Sequence, residues 1–178
     1  MKRIRALSFL ALAILAVPAG AALPVGSKAP DIRTMGALGG KSFRLDLKEQ
    51  LRSGPVVLYF FPKAFTEGCT LEAKAFADAM PRFRAAGARV VGMSADNLAT
   101  LKRFSKEACR SRFPVATVSA ATIRSYDVVL KSIPELTDRT SYVIARDGRI
   151  VMVHSDLDWK QHVDLTLAAV RDLKAKAR

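Results

Sequence analysis

At 178 residues, half of them hydrophobic, the chain carries enough apolar material for one domain's core without disulfide or metal staples. Its 29 Lys and Arg against 16 Asp and Glu give a net charge of +13, but the basic residues are dispersed and form no run interleaved with aromatics. That pattern argues against a nucleic-acid partner and for a solvated basic surface, with weak attraction to an anionic envelope surface as the alternative. Two cysteines that are not a CxxC pair, and two widely spaced histidines, His154 and His162, make neither a paired-thiol motif nor a zinc-ligand set, so no metal is expected.

In chain order, Lys2, Arg3 and Arg5 precede an apolar run over 6–17, followed by the small residues Ala19, Gly20 and Ala21. This is the pattern of a cleaved signal peptide over residues 1–22, interrupted by Pro18 and Gly20 and shorter than the roughly 20 apolar residues of a spanning helix. The expected product is an exported chain, periplasmic or secreted, comprising a single domain over 23–178 with no stable membrane insertion. After a polar, Gly-containing opening over 24–41, the run Val56, Val57, Leu58, Tyr59, Phe60 and Phe61 reads as a buried central strand. Apolar positions at helical spacing (Leu71, Ala75, Phe76, Ala79, Phe83) predict a helix that begins between Thr66 and Cys69 and ends before Gly87. Residues 89–94 predict a second strand and 97–108 a second helix. This βαβα order implies parallel strands.

Residues 113–118 read as a short strand and 120–126 as a short helix. Residues 141–145 and 150–154 flank Asp147 and Gly148 and read as an antiparallel hairpin, and 159–174 as a last amphipathic helix. Parallel strands first and a hairpin plus helix afterwards predict an α/β fold, a thioredoxin-like three-layer sandwich with a mixed central β-sheet.

The informative segment joins the end of the central strand to the first helix. Reactive sites in open α/β sheets sit at that edge. A thiol in a first helical turn, as Cys69 is, faces unpaired backbone N–H groups and the positive end of the macrodipole, and both favour the thiolate. The same N–H groups can stabilise charge that develops on a substrate oxygen under attack.

Pro62-x-x-x-Thr66-x-x-Cys69 is the peroxiredoxin active-site motif. Its surroundings (Tyr59 to Lys63; Gly68, Cys69, Thr70, Glu72, Ala73) resemble the bacterioferritin-comigratory-protein, or PrxQ-like, branch. The resemblance runs from Val25 to Asp31, through Val90 to Asp96, to Arg139 to Ile144. It implies a cofactor-free thiol peroxidase that reduces hydrogen peroxide and organic hydroperoxides, with Cys69 as nucleophile. By the same resemblance Thr66 holds the attacked peroxide oxygen, Pro62 shields the thiolate, and Arg139 favours the thiolate and bonds the peroxide through a planar fork that Lys lacks. Read singly, Thr66 is also a helix N-cap, Pro62 a strand terminator, Arg139 a surface charge, and Glu72 a favourable carboxylate in a first turn.

A sulfenic acid at Cys69 must be condensed with a second thiol or reduced directly. The resemblance places a resolving cysteine five residues after the nucleophile, but that position is Lys74 here. Cys109 is the internal candidate, at the far end of the second helix. Twelve residues at about 1.5 Å each carry that helix roughly 18 Å from the active edge, whereas a disulfide needs Cα atoms about 4.4–6.8 Å apart. Cys109 as resolving thiol after local unfolding, a one-cysteine cycle, and an intermolecular disulfide all stay open, and a static Cys69–Cys109 bond is least expected. Expected partners are a hydroperoxide and a thioredoxin-like or small-thiol reductant, with the chain a monomer or weak dimer. The competing functions are a periplasmic thiol–disulfide oxidoreductase, disfavoured by the lack of CxxC and of a proline before Ser141, and a non-catalytic thioredoxin-like binding protein. His154, His162 and Trp159 carry no assigned role.

Overall fold

The centre of the molecule is the strand β3 (Val56–Phe60), every residue of which is buried, as its unbroken apolar run requires. The computed structural model describes residues 22–176, so the leader expected over 1–22 lies almost wholly outside the described residues. Ahead of β3 come β1 (Arg33–Leu38), β2 (Lys41–Asp46) and the short helix α1 (Leu47–Arg52). After it come α2 (Glu67–Ala85), β4 (Arg89–Ser94), α3 (Leu98–Glu107), β5 (Val115–Thr117), α4 (Ala120–Ser125), β6 (Thr140–Ile144), β7 (Ile150–Ser155) and, beyond a 3₁₀ turn at Trp159–Gln161, α5 (His162–Lys176).

The seven strands form one sheet in the order β2-β1-β5-β4-β3-β6-β7. The pairs β3/β4 and β4/β5 are parallel, and β3/β6, β6/β7, β1/β5 and β1/β2 are antiparallel. Side chains alternate across β3 with the period of a strand. Val57 and Tyr59, with Phe61 beyond, enter one core with Phe76 of α2, Phe104 of α3 and Leu167 of α5. Val56, Leu58 and Phe60 enter the other with Leu51 of α1, Ile123 of α4 and Tyr142 of β6. The result is the expected mixed sheet between two helical layers.

The polar opening of the sequence contains more structure than its composition suggests. Gly39 and Gly40, at φ 56° and 81°, make a two-residue turn joining β1 to β2, with Leu38 opposite Lys41. Asp46 then caps α1, its Oδ1 accepting from the backbone N–H of Lys48 at 2.9 Å. The helix α2 stops where expected. Ala88 N–H reaches the Phe83 carbonyl and Gly87 N–H the Arg84 carbonyl, both at 2.9 Å, with Gly87 at φ 78°.

Candidate active site

Cys69 sits in the first turn of α2, three residues after the N-cap position Thr66, and is 2% exposed. The connection that delivers it from β3 is held from two sides. Asp96, just past β4, accepts from Ala64 N–H and from the Ser94 hydroxyl, both at 2.7 Å, and the Thr137 hydroxyl donates to the Phe61 carbonyl at 2.8 Å. Between these anchors Phe65 takes φ 66°, a left-handed conformation that costs a bulky L-residue energy and that persists when its surroundings over-determine it. Its ring meets Phe104 edge-on at 5.2 Å, beneath the Arg103 guanidinium.

Arg139 is the second component, and its reading as a surface charge is corrected here: the residue is 6% exposed. Its Nη2 donates to Cys69 Sγ at 3.4 Å, its Nη1 to Glu72 Oε2, and its Nε to the Leu157 carbonyl at 2.9 Å. The planar fork is therefore committed on three sides. Gly68 provides the approach: a Cβ there would stand 3.3 Å from Arg139 Nη2 and 3.8 Å from Trp159 Cδ1.

Thr66 occupies the N-cap position, yet its side chain makes no capping bond; its hydroxyl donates instead to the Lys63 carbonyl at 2.9 Å. With its proton given to that carbonyl, the hydroxyl oxygen keeps its lone pairs as acceptors. Pro62 is half-buried in the turn immediately after β3, where its missing N–H removes nothing from the sheet ladder.

Glu72 differs most from its sequence reading as a first-turn carboxylate. It is fully buried, three residues from Cys69 and hence on the same helix face, and it forms an ion pair with Arg139. Burial pushes its carboxyl up to about 8, against the opposing pull of Arg139. His162, for which the sequence offers no assignment, is also fully buried and lies behind this pair, Nδ1 3.8 Å from Glu72 Oε1. A Cys-x-x-Glu spacing marks the carboxylate, but nothing local marks a histidine that arrives from the far end of the chain.

Cys109 lies just past α3, fully buried beside Phe113, and both cysteines are free thiols. Burial pushes the Cys109 thiol up, so it is no nucleophile where it lies. The loop that follows it is tied to α2: Arg110 pairs with Asp78 at 2.5 Å, and Arg84 donates to the Arg112 carbonyl at 3.0 Å.

Residues 25–153 match the family model described as AhpC/TSA. The chain belongs to the AhpC/TSA family of peroxiredoxins. It is 32% identical over 148 residues to the chloroplastic peroxiredoxin Q of Populus jackii, which covers 82% of this chain and 68% of that protein. The crystal structure of peroxidoxin BcpB from Mycobacterium tuberculosis superposes with a TM-score of 0.75 at 29% identity, covering 84% of this chain and 97% of that one. AhpC of M. tuberculosis, at 19% identity and a TM-score of 0.76 over 87% of this chain and 95% of that one, shares the fold. These likenesses place the peroxiredoxin in the PrxQ-like branch and make it a thiol-dependent peroxidase. Neither the thiol–disulfide oxidoreductase nor the non-catalytic binding protein is favoured by them.

Proposed function

We propose that this chain is an exported peroxiredoxin that reduces hydrogen peroxide and organic hydroperoxides with Cys69 as its nucleophile. The observation that carries the reading is the 3.4 Å contact between Arg139 Nη2 and Cys69 Sγ at the opening turn of α2. A guanidinium on the sulfur and a helix N-terminus beneath it both stabilise a thiolate and the charge that develops on an attacked peroxide. The thiolate attacks the terminal oxygen of ROOH; the S–O bond forms as the O–O bond breaks, and sulfur loses two electrons to become a sulfenic acid. The leaving RO⁻ takes a proton from water and departs as ROH. Thr66 accepts the peroxide O–H, Arg139 donates to the oxygens, and Pro62 screens the sulfur from water.

Cys109 then closes the cycle, its thiol condensing with the sulfenic acid to a Cys69–Cys109 disulfide with loss of water. Because Cys109 is buried, this needs local opening of its loop, and two features support such opening. Arg110 and Ser111 both sit in the left-handed region, at φ 52° and 56°, and the ties to α2 are surface contacts worth little. The disulfide is returned to thiols by a thioredoxin-like or small-thiol reductant outside the cytoplasm, reached through the leader over residues 1–22. The protein works as a monomer or weak dimer.

The test is intact-mass spectrometry of the reduced protein after a stoichiometric peroxide pulse, comparing wild type with Cys69→Ser and Cys109→Ser. Loss of two hydrogens in wild type, replaced by gain of one oxygen in Cys109→Ser and by no change in Cys69→Ser, is expected. A stable oxygen gain in wild type replaces the Cys109 step with a one-cysteine cycle, and rapid oxidation of Cys69→Ser at Cys109 removes Cys69 as the nucleophile.

A further inference from the structure

Behind the Cys69–Arg139 contact lies a second layer of polar side chains that the peroxide step does not use. Glu72 Oε2 is bound by Arg139, but Glu72 Oε1, equally buried, has no hydrogen-bond partner among the described residues. Nδ1 of His162 lies 3.8 Å from it.

The tautomer of His162 follows from its other contacts. Its Nε2 lies 2.9 Å from the Asp156 carbonyl oxygen, which can only accept, so Nε2 carries the hydrogen. Burial lowers the imidazole to about 4, so near neutral pH the ring is uncharged and Nδ1 is a bare lone pair. The Ser141 hydroxyl, 2.8 Å away, donates to it. With Glu72 ionised, two acceptors therefore face each other across 3.8 Å. A proton on Glu72 Oε1 turns them into a donor and an acceptor.

One cation serves two acidic groups here. Arg139 is shared between Glu72 and Cys69, and a buried site with a single guanidinium favours one anion over two. Beyond these two acids, Tyr59 on β3 is held neutral by burial and leaves the count unchanged. His154 on β7 meets the His162 ring edge-on, with centroids 4.5 Å apart, and Asp156 meets His162 through its backbone.

We propose that His162 is a positioning residue for the peroxidatic site: its Nδ1 accepts a hydrogen bond from a protonated Glu72 Oε1, which removes the carboxylate's charge from Arg139 and leaves the guanidinium's charge to Cys69 and the peroxide. In proton terms, Cys69–SH and Glu72–COO⁻ become Cys69–S⁻ and Glu72–COOH with no net change in the charge of the site. Ser141 opposes this by competing for Nδ1. Above the pH at which Glu72 ionises, the carboxylate reclaims Arg139 and the site loses its thiolate partner. The inference rests on the reading of Cys69 as nucleophile.

The experiment is the second-order rate constant for hydrogen peroxide from pH 5 to 10, in the full-length protein, for wild type, His162→Gln, Ser141→Ala and Glu72→Gln. The readout is the midpoint of the alkaline decline, which a purely structural role would not move. Wild type is expected to decline near pH 8, the value to which burial pushes Glu72. His162→Gln, whose amide can donate to ionised Glu72, shifts the midpoint down by about one pH unit, the size of one hydrogen bond to a charge. Ser141→Ala, freeing Nδ1, shifts it up, and Glu72→Gln abolishes the decline. Coincident midpoints in wild type, His162→Gln and Ser141→Ala, or a decline that survives in Glu72→Gln, overturn the proposal. If His162→Gln does not fold, the upward shift in Ser141→Ala and the loss of the decline in Glu72→Gln decide it. Peroxide consumption that persists in Cys69→Ser instead overturns the assignment of the nucleophile, a distinct result.

Discussion

Replacing Arg139 by Lys tests whether the fork itself matters. The guanidinium makes three directed bonds, to Cys69 Sγ, to Glu72 Oε2 and to the Leu157 carbonyl, from a side chain 6% exposed. A lysine ammonium is a single atom on a shorter reach and cannot hold all three. If the donor aimed at sulfur is the one lost, the transition state forfeits a preorganised hydrogen bond, and the rate constant falls roughly 10²- to 10³-fold. Loss of one bond to the buried carboxylate costs about 2 kcal/mol of stability, or a melting point lower by about 4–8 °C for a domain of this size. Stopped-flow fluorescence reads the rate, because Trp159 borders the site beside Gly68. The comparison is made at 25 °C with circular dichroism establishing that both proteins are folded. A rate constant within threefold of wild type, accompanied by the expected drop in melting point, would show that Arg139 supports the structure and not the chemistry.

Two further outcomes follow from buried groups. Tyr59 is 1% exposed and its hydroxyl has no hydrogen-bond partner among the described residues, while its ring stacks on Phe76 at 4.4 Å. Tyr59→Phe removes the unpaired hydroxyl and keeps the ring, so it should raise the melting point by about 2–4 °C, corresponding to about 1 kcal/mol; a lower melting point would reveal a partner for the hydroxyl. His162 is lowered from 6.5 to about 4 in the folded protein. A basic group with a depressed folded value binds more protons when unfolded, so its contribution is complete above pH 6.5 and is lost as pH falls toward 4, by about 3 kcal/mol in all. Urea unfolding at pH 7 and pH 4.5 should show this loss in wild type and a smaller one in His162→Gln. Equal losses would assign the acid sensitivity to other groups.

Much of the molecule is legible in linear sequence because its signals are local. An unbroken apolar run makes β3, helical spacing makes α2 and α3, and Asp147 with Gly148 makes the last hairpin, each from a few consecutive residues. The motif spacing likewise puts Cys69 in a first helical turn. The β1–β2 hairpin escaped because its strands, with Arg33, Thr34, Lys41 and Ser42, lack the alternation of a half-buried sheet and take their place through backbone pairing at the edge. The surroundings of Cys69 were a matter for tertiary structure alone. Glu72 is an ordinary helical carboxylate until Arg139, 67 positions away, arrives before β6 and reaches it across the gap that Gly68 leaves open. His162 becomes part of the same cluster because α5 folds back over the sheet, where burial removes the water that would otherwise solvate each group separately. Sequence determines which ionisable groups the chain possesses and which helix end holds the sulfur. Only the fold decides which of them share one guanidinium in a water-poor interior, because that competition depends on distance and dielectric, and neither is written along the chain.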